Sequence, residues 1–359
     1  MSEEASEAAS EPRYRVRGTE WWRTLLECRV SEFNSDSGMP RGFPVHSCRV
    51  ATVISNTSDT RQKPQRVSPM AEIEHCRFDK WPAQVVSILG SAPRVTWAES
   101  REQLVSLALN GSDGDKYEVA FDVKGRGRVV EAEVVRCKNG LAVNYTDPYM
   151  RRRDPDCMVV ADELPTDKPT FLERFGYPFE DLRDEIHQWL ASQDLVVLAF
   201  HAGGHSFGYG GILLAPKQAA FFAAGLSALQ TMIPASGLTA DFSPCVIVYL
   251  APPFRHTHCD GKQVVIHRRS PSLHEMFPLN LYPGPSAKKG VYGALIHIGE
   301  QEGWTTLHGS TVEVETPYDN LVTIMHEGAS GGGKSEMLEY PHREIDGRLL
   351  LGENVISKE

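Results

Sequence analysis

The chain has 359 residues, 41% of them apolar and 23% charged, with 30 glycines and 23 prolines. That composition supports a sizeable globular core and excludes collagen-like, coiled-coil and wholly disordered chains. Acidic residues outnumber basic ones by 47 to 37, a net charge of −10, which repels phosphate backbones and argues against nucleic acid as a partner.

Residues 1–15 are rich in Ser, Glu and Ala and lack the basic flank and apolar centre of a secretory signal, so a disordered acidic tail is expected there. The seven cysteines are widely scattered, never in a C-x-x-C pair, which argues against a disulfide framework and for a reducing, cytoplasmic setting. Residues 16–95 carry no readable pattern, and a Pro/Ser/Arg stretch from Asp59 to Ser68 has the composition of surface loop.

Beyond them, the spacing from Trp97 to Leu109 is helical, and Tyr117–Val123, Arg128–Val135 and Leu141–Tyr145 alternate as strands. Glycines 125 and 127 and the Asn139-Gly140 pair separate them, which predicts a small antiparallel meander. Phe179, Leu182, Ile186, Trp189 and Leu190 share one face of a helix over Phe179–Ser192, followed by an all-apolar strand Leu195–Phe200. A helix over Ala215–Gln230 and strands at Cys245–Leu250 and Val264–His267 continue the alternation. The expected fold class is therefore α/β, with mixed sheets flanked by helices. The most apolar stretch, Ala219–Ile233, contains Ser227, Gln230 and Thr231 and stops at Pro234, so it reads as a buried helix and not a membrane span.

One motif carries most of the chemistry. Gly328-Ala329-Ser330-Gly331-Gly332-Gly333-Lys334-Ser335 fits G-x-x-x-x-G-K-[ST], and the apolar run Leu321–Met325 precedes it as a strand should. Glycines allow backbone N–H groups to point inward at phosphates, a following helix adds its N-terminal partial charge, Lys334 reaches the terminal phosphates and the Ser335 hydroxyl ligates Mg²⁺. ATP with Mg²⁺ or Mn²⁺ is the cofactor set this predicts.

The sequence Gly328–Met337 resembles the phosphate loop of phosphoenolpyruvate carboxykinases and HPr kinases, which form one superfamily. Upstream, Tyr282-Pro283-Gly284-Pro285-Ser286-Ala287-Lys288-Lys289-Gly290 is similar to the carboxykinase segment in which a tyrosine and glycine precede Lys-Lys-Gly, and His308 follows in the family's order. Arg153-Asp154-Pro155, between Leu141–Tyr145 and Met158–Val160, is similar to the family's strand, Arg-Ser-Pro turn and strand. The resemblance implies a carboxykinase-like substrate domain over residues 16–300 and the start of a nucleotide-binding domain over 301–359, incomplete because the chain ends soon after Ser335.

It also implies roles. Gly328, Ser330, Gly331, Gly332, Gly333, Lys334, Ser335 and Glu336 would hold the nucleotide, and Arg153 and Tyr282 a small carboxylic acid resembling oxaloacetate or phosphoenolpyruvate. Lys289, His308, Ser335 and Glu353 would hold the metal, with Lys289 and Lys334 in the catalytic roles. Lysine ligates only as the neutral amine, so its pKa must fall from about 10.4. Glu353-Asn354 stands where the family has an acidic pair, which lowers the charge of the site. Two alternatives stay open: a non-catalytic nucleotide-binding relative or fragment, and a kinase of the HPr-kinase branch acting on a protein or small molecule. The cluster Arg255–Asp260, RHTHCD, groups two histidines and a cysteine without a second pair at zinc-finger spacing, and His201 closes a predicted strand, where α/β folds often place binding groups.

Overall fold

The computed structural model describes residues 15–17, 78–111, 115–138, 140–148, 156–203, 209–282, 284–307, 309–315 and 321–328. The chain divides into two compact units, residues 1–58 with 304–359, and residues 59–303. In the first, β1 (Arg15–Arg17) pairs antiparallel with the earlier of two strands described below.

The larger unit opens with α1 (Ala83–Ser91), β2 (Arg94–Trp97) and α2 (Arg101–Ala108), the last capped by Ser100, whose hydroxyl accepts the Gln103 N–H. The helical spacing predicted from Trp97 thus begins later: Trp97 ends a strand and the helix waits for its cap. The meander β3 (Lys116–Val123), β4 (Gly127–Cys137) and β5 (Gly140–Tyr145) forms as its alternation and turn glycines predict. After β6 (Met158–Val160) come α3 (Phe171–Phe175), whose Thr170 and Glu173 form a reciprocal cap, and α4 (Phe179–Ala191). Phe179, Leu182, Ile186 and Leu190 form the buried stripe of α4.

Next are β7 (Asp194–Ala202) and β8 (Tyr209–Pro216), then α5 (Ala220–Leu229), β9 (Thr231–Ile233) and β10 (Pro244–Tyr249). Here the structure corrects the helix expected over Ala215–Gln230. Ala215 and Pro216 instead end the strand that holds the apolar run Ile212–Ala215, paired antiparallel with β7, and a 3-10 turn over Lys217–Ala219 precedes a shorter helix. A four-residue apolar run fits a buried strand and a buried helix equally, and only the pairing partner decides. The apolar stretch to Ile233 likewise ends as strand β9, on β7. Then α6 (Phe254–His258), β11 (Val265–Ser270), β12 (Leu273–Pro278) and α7 (Lys289–Gln301) complete the unit.

The main sheet has the order β2-β7-β8-β10-β12-β11-β6, with β9 on β7, and mixes parallel and antiparallel pairs. One face, with Val197, Ile212, Leu214, Ile247, Ile266 and Phe277, packs under α1 and α4. The other lies under α5 and α7. Covering on both sides explains why β7 and β8 read as unbroken apolar runs and not as alternation.

In the smaller unit, β13 (Gly309–Glu315) pairs antiparallel with β14 (Leu321–Glu327) and, on its other edge, with β1. Among the described residues no helix is long and apolar enough to cross a membrane.

Candidate functional site

In the larger unit, the segment leaving β12 is fixed by a buried amide. The Asn280 side chain is fully buried, its Oδ1 accepts the Tyr282 N–H at 2.9 Å, and its Nδ2 donates to the Val264 carbonyl at 3.3 Å. An asparagine that bonds the backbone two residues on stabilises a turn. The Ser286 hydroxyl lies 3.3 Å from both Asn280 Oδ1 and the Tyr282 carbonyl oxygen. One turn of π-helix, Gly284–Lys288, then runs into α7 at Lys289. Such turns recur at functional sites.

The meander reaches the same turn. Tyr145, the last residue of β5, donates its hydroxyl to the Leu281 carbonyl at 2.8 Å, and its ring meets Tyr282 edge-on at 6.2 Å. Burial, with Tyr282 beside it, pushes the Tyr145 hydroxyl far above its usual pKa, so it stays a neutral donor. Lys288 is exposed whereas Lys289 is half-buried at the first turn of α7. The Lys pair is therefore part of a helix start and not of a solvated loop.

Of the residues singled out for chemistry, Tyr282 and Lys289 thus share one braced turn. Gly328 directly follows β14 in the other unit. Arg153, His308, Ser330, Gly331, Gly332, Gly333, Lys334, Ser335, Glu336 and Glu353 lie outside the described residues.

The RHTHCD cluster comes apart in the structure. Arg255–His258 lie in the short helix α6, Cys259 caps it, and His256 Nε2 is bonded to Glu131 Oε1 of β4. Arg255 donates to Glu131 Oε2 at 2.8 Å and lies 3.5 Å from Asp147. Burial raises the Glu131 pKa, but the bond to His256 and the charge of Arg255 outweigh it and hold the carboxyl below its usual range. His258 stacks on Phe254, and burial pushes the Cys259 thiol up to about 12. Among the described residues no group of three or more His, Cys, Asp or Glu is arranged to hold a metal ion. The end of β7 is packed as well: the Gly203 N–H bonds Gln230 Oε1 at 3.0 Å, beside Leu295 of α7.

Sequence reasoning missed a second polar cluster, beneath α7. His267 Nδ1 lies 2.9 Å from His274 Nε2, and the His274 ring is 5.3 Å from that of His297. All three are at least 96% buried. Among the described residues, His267 Nε2, His274 Nδ1 and both ring nitrogens of His297 have no hydrogen-bond partner. Burial lowers all three pKa values, that of His267 to about 4. The available signal was alternation: Val265, His267 and Arg269 share one face of β11.

A half-open cavity of about 250 Å³ lies between the meander and α4, lined by Phe121, Arg128, Trp189 and Gln218 among others. It is smaller than the roughly 300–1,000 Å³ typical of ligand pockets and contains none of the residues above.

Fold and turn together define a mixed α/β protein with a braced Tyr-Lys turn and a strand that ends just before a glycine-rich sequence. Within that class the chain belongs to the family described as domain of unknown function (DUF4914), whose model matches residues 81–359. No curated protein matches it.

Proposed function

We propose that this protein is an ATP- and divalent-metal-dependent, carboxykinase-like enzyme that transfers a phosphoryl group to or from a small carboxylic acid. The observation that carries the reading is the position of β14, a seven-residue strand ending at Glu327 immediately before the first glycine of G-x-x-x-x-G-K-S. A strand feeding such a loop is the context in which the motif binds phosphate. The braced turn of Tyr282 and Lys289 supports the same reading, because the resemblance assigns substrate and metal to those two residues.

In this reading the backbone N–H groups of residues 328–335 cradle the phosphates, Lys334 reaches the terminal phosphates and Ser335 contributes to the cation. Tyr282 positions the acid, and Arg153 clamps its carboxylate through two parallel hydrogen bonds. Lys289, His308, Ser335 and Glu353 would hold Mn²⁺ or Mg²⁺, which supplies Lewis-acid stabilisation of developing oxygen charge. A reducing compartment suits the thiols of Cys137, Cys157, Cys245 and Cys259, all free in the structure.

Calorimetric titration of the full chain with ATP and Mn²⁺ tests the proposal. Saturable binding is expected, lost in Lys334→Ala, followed by metal-dependent turnover of oxaloacetate. ATP affinity unchanged in Lys334→Ala would overturn the phosphate-loop assignment, and binding without turnover of any small dicarboxylic acid would reduce the protein to a nucleotide-binding module.

A further inference from the structure

We propose that His267, His274 and His297 form an acid-operated latch that docks α7 onto the main sheet and releases it when the cluster takes up protons. The geometry is that of a closed contact. His267 and His274 come from neighbouring antiparallel strands on one face of the sheet, and His297 comes from the helix covering that face. At Gly293 the α7 backbone comes so close that a Cβ there would lie 3.4 Å from His267 Cε1. The bond between His267 and His274 requires that one of the two facing nitrogens carry no proton. A proton added to either ring removes that acceptor or creates a cation next to two other imidazoles in a dry contact. The cost of that cation is greatest while docked α7 keeps water from the rings.

The surroundings do not compensate. β11 contributes Arg269 to this face, whose charge opposes protonation more strongly than the Asp162 carboxylate, bonded to Arg269 through both oxygens at 3.0 Å each, favours it. From β12 the cluster meets only His274 itself, and β6 brings the apolar Met158 and Val160. On α7, Glu300 favours a proton on His297 but does not prevent the net lowering of its pKa. Lys288 and Lys289 add positive charge at the start of the helix, Tyr292 lies within it, Glu302 follows its end, and α5 brings no titratable side chain. Each histidine therefore binds its proton more readily once α7 is free, so the opening equilibrium of α7 rises about tenfold per histidine per pH unit below roughly pH 6. Because α7 begins at Lys289, just after Tyr282, release would dismantle the proposed substrate turn; that consequence rests on the functional reading above, whereas the latch does not.

Hydrogen exchange of the full chain, followed peptide by peptide between pH 7 and 4.5 and corrected for intrinsic exchange rates, separates the two. Residues 289–301 are expected to lose protection with a slope above one proton, while α2, which carries no histidine, changes much less. In His297→Phe and, as a second variant, His297→Gln, the slope should fall by about one. Equal slopes in α7 and α2, a flat response in α7, or a slope unaltered in both variants would overturn the latch. Because the readout needs no nucleotide, its failure is distinct from a failure to bind ATP.

Discussion

A Cβ on Gly211 would lie 2.3 Å from Cε2 of Phe200, its cross-strand partner on β7. Phe200 is fully buried, so its ring has no free space into which to swing, and the glycine is fixed by a side chain eleven residues upstream. Gly211→Ala should therefore overpack the sheet and cost about 1–3 kcal/mol, read as a lower urea midpoint at constant m-value. A midpoint unchanged from wild type would show that the ring relaxes freely. Chemistry was legible at this scale in uneven measure. Lys334 and Ser335 stand out because the motif spacing is itself the signal. The three histidines of the latch are separated by seven and 23 residues and meet only because a hairpin and a helix superpose them.

At the scale of elements, α6 is held to the meander mainly by charge. Arg255 and Glu131 are each 2% exposed, and His256 completes the group from the same helix. Removing one member of a buried pair leaves the other charge uncompensated, which typically costs about 3–5 kcal/mol. Arg255→Ala is thus expected to destabilise the larger unit by roughly that much, and chemical denaturation compared with the wild-type chain measures it; a loss below about 1 kcal/mol would mean that water replaces the guanidinium. The elements themselves were readable where a period was strong. The meander, α4, β7, β10 and β14 follow from alternation, an amphipathic stripe or an apolar run bounded by turn residues. Strand β8 escapes such a reading because its apolar run carries no period, and α7 because Gly284, Pro285 and the Lys pair mask a helix start.

For the larger unit as a whole, buried neutral histidines set the acid limit of stability. Burial lowers both His187, which packs on Tyr249 and Phe277, and His267 from 6.5 to about 4. A histidine whose folded-state pKa lies below its unfolded value contributes stability in full above about pH 6.5 and loses it as the pH falls towards 4. For His267 alone the shift corresponds to roughly 3 kcal/mol. Glu131, also depressed, adds a loss below its ordinary carboxylate range. Urea midpoints should accordingly fall steadily from pH 7 to pH 5, before carboxylates titrate in bulk. A midpoint constant over that interval would show that these histidines are hydrated or already charged.

The sequence by itself determined the fold class, the meander, the principal amphipathic helix and the strand before the glycine-rich loop, since each is encoded in local periodicity and turn chemistry that neighbouring residues cannot hide. Tertiary structure alone decided that Ile212–Ala215 is strand, that Tyr145 braces the turn of Tyr282 and Lys289, and that His267, His274 and His297 touch. These features depend on strand order and on which helix covers which face, and such pairings join residues whose separation along the chain carries no local signal.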